Sequence, residues 1–353
     1  MAKKRTRKII FISLISLIIL FSASSMIFVA KTYQSYFPRF DKPKYVGYLQ
    51  YSDVKDSYNR QAVSFQSGNN SLKGYVYGEG NDKGLVVIAP GRATSVEEYL
   101  ADALFFVDNG WRVFAFDYTG SFESQGESSK GLPQARIDLL AALEYIKRDS
   151  SLKDLPIMLY GHSWGAYAVT AVLNNVNDIS AVASLSGFNS PMELFDEQAH
   201  HMIGGFAFVE YPFEWAYQTL LFGSDASVTA VDGINRTNTP VMIIHGTMDE
   251  SITYNGASII AQRNHITNPN VVYISLSTKN QNDHDRLMKS VAAMEYINQK
   301  NSEFNLLSKR YNGNIPDSAK HEFYADVDHF QVSELNSDFM NQINSFFEDS
   351  LQN

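Results

Sequence analysis

Gly161-His162-Ser163-Trp164-Gly165 is the segment of this 353-residue chain whose residue types and spacing most directly suggest chemistry. It follows an apolar run, Pro156–Tyr160, and opens a helical one from Ala166 to Leu173, so the serine falls at a strand-to-helix turn. A serine on so tight a turn has strained backbone angles, and the positions two before and two after it must be small to avoid collision. The turn lifts Ser163 Oγ above the sheet edge, where the N–H groups of the following helix face a developing oxyanion. Three fixed positions in five are a weak signal alone, and a glycine-rich turn with an incidental serine is the bland reading. The strand before and the helix after favour a nucleophile.

Composition narrows the alternatives. The chain has no cysteine, which excludes disulfides, thiolate zinc sites, iron–sulfur clusters and a Cys nucleophile. Apolar residues make up 44% and charged residues 19%, enough for a sizeable core and too ordered a balance for a disordered chain. The formal net charge of −9 becomes −14 once Lys3, Lys4, Arg5, Arg7 and Lys8 are set aside, because residues 1–30 carry no acid. A body that acidic repels phosphate backbones, so nucleic acid is not an expected partner.

The serine turn needs a sheet beneath it. Candidate strands are Ala62–Gln66, Lys73–Tyr77, Leu85–Ala89, Arg112–Phe116, Ile157–Tyr160, Ala181–Leu185, Val241–Ile244 and Val271–Leu276. The first two alternate and read as an antiparallel hairpin around Gly68-Asn69-Asn70. The later ones are continuous and rich in β-branched residues, as strands covered on both faces are. Helical patterns fall between them at about 95–109, 133–149, 164–175, 254–264 and 285–300. This alternation predicts a mostly parallel eight-stranded sheet with helices on both faces. More than fifty residues separate the strands ending near Leu185 and starting near Val241, and they hold eight Phe, Tyr and Trp side chains from Phe195 to Phe222. An inserted helical cap over about 187–238 explains both length and aromatics.

In this combination the chain resembles the α/β-hydrolase family over about residues 60–300. Beside the serine turn, Ala89-Pro90-Gly91-Arg92 follows the third strand where the family often has His-Gly. The resemblance implies the backbone N–H groups of Arg92 and Trp164 as oxyanion donors, the former open by one position because His-Gly is missing. Asp117-Tyr118-Thr119-Gly120 with Ser124-Gln125-Gly126 resembles the family's loop after strand four, and Asp and Gly there read as turn formers with a structural role. Ile244-His245-Gly246-Thr247-Met248-Asp249 is similar to the end of the family's strand seven. Asp249 is therefore the implied orienting carboxylate, with adjacent Glu250 a less well spaced substitute, while His245 reads as packing at the strand end.

The base is a choice between His284 and His329. His284 follows the last strand by eight residues and gives the family's chain order Ser163, Asp249, His284. His329 serves only if the last fifty residues fold back over the site. His162 is expected to point away from Ser163, and His200 and His201 are adjacent in the cap, without metal-ligand spacing. With His284 as base, Ser163 attacks a carbonyl, the leaving group departs with the proton, and water releases the acyl group, with no metal or organic cofactor. The expected substrate is a small ester or, less readily, an amide or short peptide. A non-catalytic cell-surface module of the same fold is the competing class.

The N-terminal region has its own logic. Residues 1–8 are a basic segment, and residues 9–30 carry no charge, long enough as a helix for a ~30 Å hydrocarbon core. The expectation is an uncleaved signal anchor with the basic end in the cytoplasm and the catalytic domain, 61–353, outside. Cleavage near Ala23 or Ala30 is the alternative. Residues 31–60, broken by Pro38 and Pro43, read as a stalk, and residues 301–353 as a helical extension whose Leu335, Phe339, Ile343, Phe346 and Phe347 form an amphipathic closing helix.

Overall fold

The computed structural model describes residues 2–352. All eight expected strands form, as β1 (Arg60–Ser67), β2 (Asn70–Tyr77), β3 (Leu85–Ala89), β4 (Arg112–Phe116), β5 (Ile157–His162), β6 (Ile179–Leu185), β7 (Val241–Gly246) and β8 (Val271–Leu276). They make one sheet in the order β1-β2-β4-β3-β5-β6-β7-β8. β2 is antiparallel to β1 and β4, and every other pair is parallel. The hairpin register pairs Ser67 with Asn70, which leaves Gly68, at φ 57°, to take the left-handed turn conformation.

In chain order the helices are α1 (Ala2–Tyr36), α2 (Tyr51–Val54), α3 (Leu100–Asp108), α4 (Gln134–Arg148), α5 (Trp164–Ala171), α6 (Pro191–Ile203), α7 (Ala207–Phe222), α8 (Ala230–Arg236), α9 (Val291–Arg310), α10 (Asp317–Ala325), α11 (His329–Ser333) and α12 (Ser337–Ser350). The two sheet faces bury separate apolar clusters. One runs through Val87, Phe114, Leu139, Leu159, Tyr167 and Val182 under α4 and α5. The other runs through Val86, Phe106, Met158, Ile244, Ile343 and Phe347 under α3 and α12. Alternate residues of one strand feed opposite cores, which is why the central strands read as unbroken apolar runs.

Three expectations need correction. Residues 254–264 form turns and a short 3₁₀ segment, Ile260–Gln262, instead of a helix. The Glu197 carboxylate accepts from Thr253 N–H, Thr253 Oγ1 and Ala257 N–H, using donors that a regular helix would arrange differently. β8 is accordingly not covered on both faces, and Val272 and Tyr273 are exposed on this edge strand. The helix expected over 285–300 starts only at Val291, where Ser290 caps it by accepting from Ala293 N–H; the residues before it remain a loop.

The segment read as a stalk lies against the body. Tyr33 and Phe37 are buried in the first core cluster. Arg39 donates to the carbonyls of Phe122, Ser124 and Gly126, and Leu49 and Val54 join the second cluster. Between β6 and β7, α6 and α7 form the helical insert, while α8 packs down beside α5.

Candidate active site

Ser163 sits between β5 and α5 at φ 56°, ψ −114°, a conformation that costs a non-glycine residue on the order of 1–3 kcal/mol. Its flanking glycines permit the turn. A Cβ on Gly161 would collide with the backbone of Gly165, and one on Gly165 with the backbone of Ala89. The turn is held from β6, since Ser163 N–H donates to the Leu185 carbonyl at 2.8 Å.

His284 Nε2 lies 2.8 Å from Ser163 Oγ, and His284 Nδ1 lies 2.7 Å from Asp249 Oδ2. A carboxylate can only accept, so Nδ1 carries the proton and Nε2 is free to accept from the serine hydroxyl. Residues 121 positions apart thus meet in one hydrogen-bonded series. The loops that bring them together follow neighbouring strands β7 and β8 and are tied by Met248 N–H donating to the Asn282 carbonyl at 2.8 Å.

Asp249 has a full set of donors. Its Oδ1 accepts from Ser251 N–H and Ile252 N–H, and its Oδ2 also faces His245 Nε2 at 3.1 Å. Burial alone would raise its pKa, but the hydrogen bonds from His245 and His284 outweigh burial and hold it well below the usual carboxylate range. For His284, burial pulls down and the Asp249 hydrogen bond and charge pull up, with Asp285 and Asp283 assisting; the net shift is upward. Glu250 lines the cavity in front of the serine and takes no part in the relay. His245 is fully buried at the strand end, as its sequence position suggested, yet it also touches the carboxylate.

His329 is elsewhere. Its Nδ1 pairs with Asp53 Oδ2 at 2.8 Å on the surface. His200 hydrogen-bonds within its own helix to the Asp196 carbonyl. His162 does turn from the serine hydroxyl, but its position has a use the sequence did not reveal. Nε2 meets the backbone carbonyl of His284 at 2.8 Å, so it must donate, and Nδ1 then accepts from the Tyr99 hydroxyl at 2.8 Å. Tyr99 Oη in turn accepts from Gly91 N–H. The chain of bonds links the loop after β3 to the loop that carries the imidazole. Donor atoms of His162, His284 and Asp285 lie within 4.8 Å of one another, close enough for a cation, but all four ring nitrogens are already engaged.

With Gly91 N–H taken by Tyr99 and Pro90 lacking one, the next amide after β3 is that of Arg92. The other expected donor, Trp164 N–H, opens α5 directly after the serine. In the loop after β4, Ser124 Oγ donates to the Asp117 carbonyl and accepts from Lys73 N–H, and Asp117 Oδ1 accepts from Val96 N–H, all bonds within the scaffold. The cavity above Ser163 has a volume of about 460 Å³ and is roofed by α6 of the insert and the end of α1.

The fold that carries this serine turn has counterparts among solved structures. An esterase of Pyrococcus furiosus superposes with a TM-score of 0.53 at 21% identity, covering 78% of this chain and 98% of that one. The chain has the α/β-hydrolase fold. An α/β-hydrolase from a Penicillium species gives a TM-score of 0.52 at 15% identity over 70% of this chain and 97% of its own. By sequence, residues 80–202 match the family described as serine aminopeptidase, S33. No curated protein sequence matches the chain.

Proposed function

We propose that this α/β-hydrolase-fold protein is a membrane-anchored serine hydrolase that cleaves an ester outside the cytoplasm. The observation that carries the reading is the Ser163–His284–Asp249 series with its 2.8 and 2.7 Å separations. As Ser163 Oγ attacks the substrate carbonyl, His284 Nε2 takes its proton, and Asp249 stabilises the imidazolium without itself becoming protonated. The amides of Arg92 and Trp164 stabilise the oxyanion. His284 then gives the proton to the departing alkoxide, and an activated water splits the acyl-serine. α1, long and apolar enough to cross a bilayer, supplies the anchor, and the basic residues before it favour a cytoplasmic N-terminus.

A second reading, a serine peptidase on the same residues, is favoured by the match of residues 80–202 to the aminopeptidase family. One experiment separates the readings. The purified full chain is treated with a fluorophosphonate probe and assayed on p-nitrophenyl acyl esters beside aminoacyl amides. Labelling that vanishes in Ser163→Ala, with esters turned over faster, supports the ester hydrolase. Faster amide cleavage turns the reading to peptidase, and absence of labelling on folded protein removes both.

A further inference from the structure

The cavity above Ser163 is not closed by the hydrolase body alone. Phe28, Thr32, Tyr36 and Phe37, in the last turns of α1 and just past it, form one of its walls. The same stretch reaches both proposed oxyanion donors. Arg92 Nη1 donates to the Tyr36 carbonyl at 3.0 Å, and the Phe37 ring lies 6.3 Å from that of Trp164. The body is shaped to receive α1, since a Cβ on Gly131 would collide with the Tyr33 ring. This helix is part of the site as well as a tether.

Length then relates the site to a membrane. Residues 9–20 of α1 are all exposed, and the helix first meets the insert where Phe21 and Phe213 approach edge to face, 6.0 Å between centroids. A dozen helical residues cover only ~18 Å, short of a ~30 Å hydrocarbon core. The remainder must come from the stretch through Phe28, and there the insert already lies along one side of the helix, with Ser25 Oγ donating to Glu210 at 3.0 Å. A bilayer that accommodates α1 therefore meets the insert too. The insert's surface suits that contact: Phe206 is 75% exposed, Phe208 79%, Leu220 78% and Trp215 53%. Phe208 and Trp215, seven residues apart, share one face of α7, and exposed aromatic rings on a helix packed against α1 match the lipid interface, where such rings gather.

The charges facing the cavity bear on the substrate. Glu250 and Asp285 line it, as does Glu214, whose pKa burial raises to about 7, and Arg92, the one lining cation among the described residues, has its guanidinium turned onto the Tyr36 carbonyl at the end of α1. The acids outnumber the cation, which disfavours an anionic headgroup there. We infer that α1 and the insert sink together into the leaflet, and that the cavity takes from it a long-chain acyl ester of an uncharged lipid, such as a diacylglycerol. This rests on the ester-hydrolase reading above. Ser163 Oγ, giving its proton to His284, bonds the acyl carbon as the ester C–O bond breaks, the monoacylglycerol alkoxide takes that proton from His284, and water then releases the fatty acid.

The test uses the full chain in phosphatidylcholine vesicles. Trp111 and Trp164 are buried, so quenching of tryptophan fluorescence by acyl-chain-brominated phosphatidylcholine reports on Trp215. The expected result is strong quenching in the wild type that is lost in Trp215→Phe. Diacylglycerol in the vesicles should be cleaved faster than phosphatidylglycerol, and F206D/F208D should lose at least about tenfold on diacylglycerol while keeping the wild-type rate on soluble p-nitrophenyl butyrate. No quenching, a preference for phosphatidylglycerol, or equal loss on both substrates in the double variant would overturn the inference. If butyrate is cleaved and vesicle lipid is not, only this inference fails; if neither is cleaved and Ser163 resists the fluorophosphonate, the ester-hydrolase reading fails with it.

Discussion

The imidazole of His162 donates to the backbone carbonyl of His284, 2.8 Å away, so the residue before the serine holds the main chain of the residue that faces it. Burial first, and the neighbouring His284 second, bring the His162 pKa down to about 4, which keeps its ring neutral and its donor and acceptor sides fixed at ordinary pH. His162→Phe keeps a planar ring at the position but removes both bonds. Loss of one buried hydrogen bond costs on the order of 1 kcal/mol, more where the partner is left unpaired. We expect kcat on p-nitrophenyl butyrate to fall roughly 10- to 100-fold with KM within about twofold, and Tyr99→Phe, which spares the bond to His284, to lose less. An unchanged kcat in His162→Phe would mean that Asp249 alone orients the base.

The two histidines weighed from sequence make opposite predictions. His284 stands between Ser163 and Asp249, whereas His329 is paired with Asp53 on the surface. His284→Ala should lower kcat by about four to six orders of magnitude, leaving what the oxyanion donors alone provide. His329→Ala removes a hydrogen bond to Asp53 between side chains about one quarter exposed, worth under ~1 kcal/mol. Its kcat should equal wild type. Steady-state assays of both variants on one ester decide it.

What could be read from the sequence follows from the range of the interactions. The central strands were visible because each feeds two cores and so is apolar throughout, and the β1–β2 hairpin because its residues alternate around Gly68. The relation of Asp249 to His284 was visible because neighbouring strands carry both loops. The helix expected at 254–264 was misread because Glu197, nearly sixty residues earlier, takes the backbone donors of Thr253 and Ala257, which no local pattern announces. The joining of α1 to the cavity was hidden for a similar reason. Tyr33 and Phe37 fell in a segment broken by prolines, and their partners Phe195, Tyr217 and Trp164 lie more than 120 residues away. The bond from His162 to a loop carbonyl has no side-chain signature at its acceptor end at all.

The acid limb of the pH profile follows from the electrostatics of His284. Burial lowers its pKa, but the hydrogen bond and charge of Asp249 more than offset burial, so it lies above the ordinary 6.5. The base acts only when neutral, so kcat/KM should fall as pH drops through a value above 6.5. Asp249→Asn removes the largest raising influence and leaves burial opposed only by Asp285 and Asp283; the limb should then move to lower pH, together with a fall in kcat of about 10⁴ because the wrong ring nitrogen is held. A pH series on both proteins reads both effects, and a limb that stays in place in the variant would show that Asp249 does not govern the base.

The final prediction concerns how firmly α1 belongs to the body. Tyr33 is 4% exposed, stacked on Phe195 at 4.9 Å and edge-on to Tyr217 at 5.3 Å, so it joins α1 to both helices of the insert. Removing a buried aromatic ring costs about 3–5 kcal/mol. At roughly 2 °C per kcal/mol for a body of this size, Tyr33→Ala should lower Tm by about 6–10 °C in detergent micelles. Leu17 lies four turns earlier on the same helix and is 63% exposed, so Leu17→Ala should leave Tm unchanged in the same micelles. Because Tyr33 also steadies Phe37 and Phe195 beside the cavity, its loss should raise KM for long-chain p-nitrophenyl esters more than for the acetate. Equal Tm values for the two variants would mean that α1 is tethered to the hydrolase body without being packed into it.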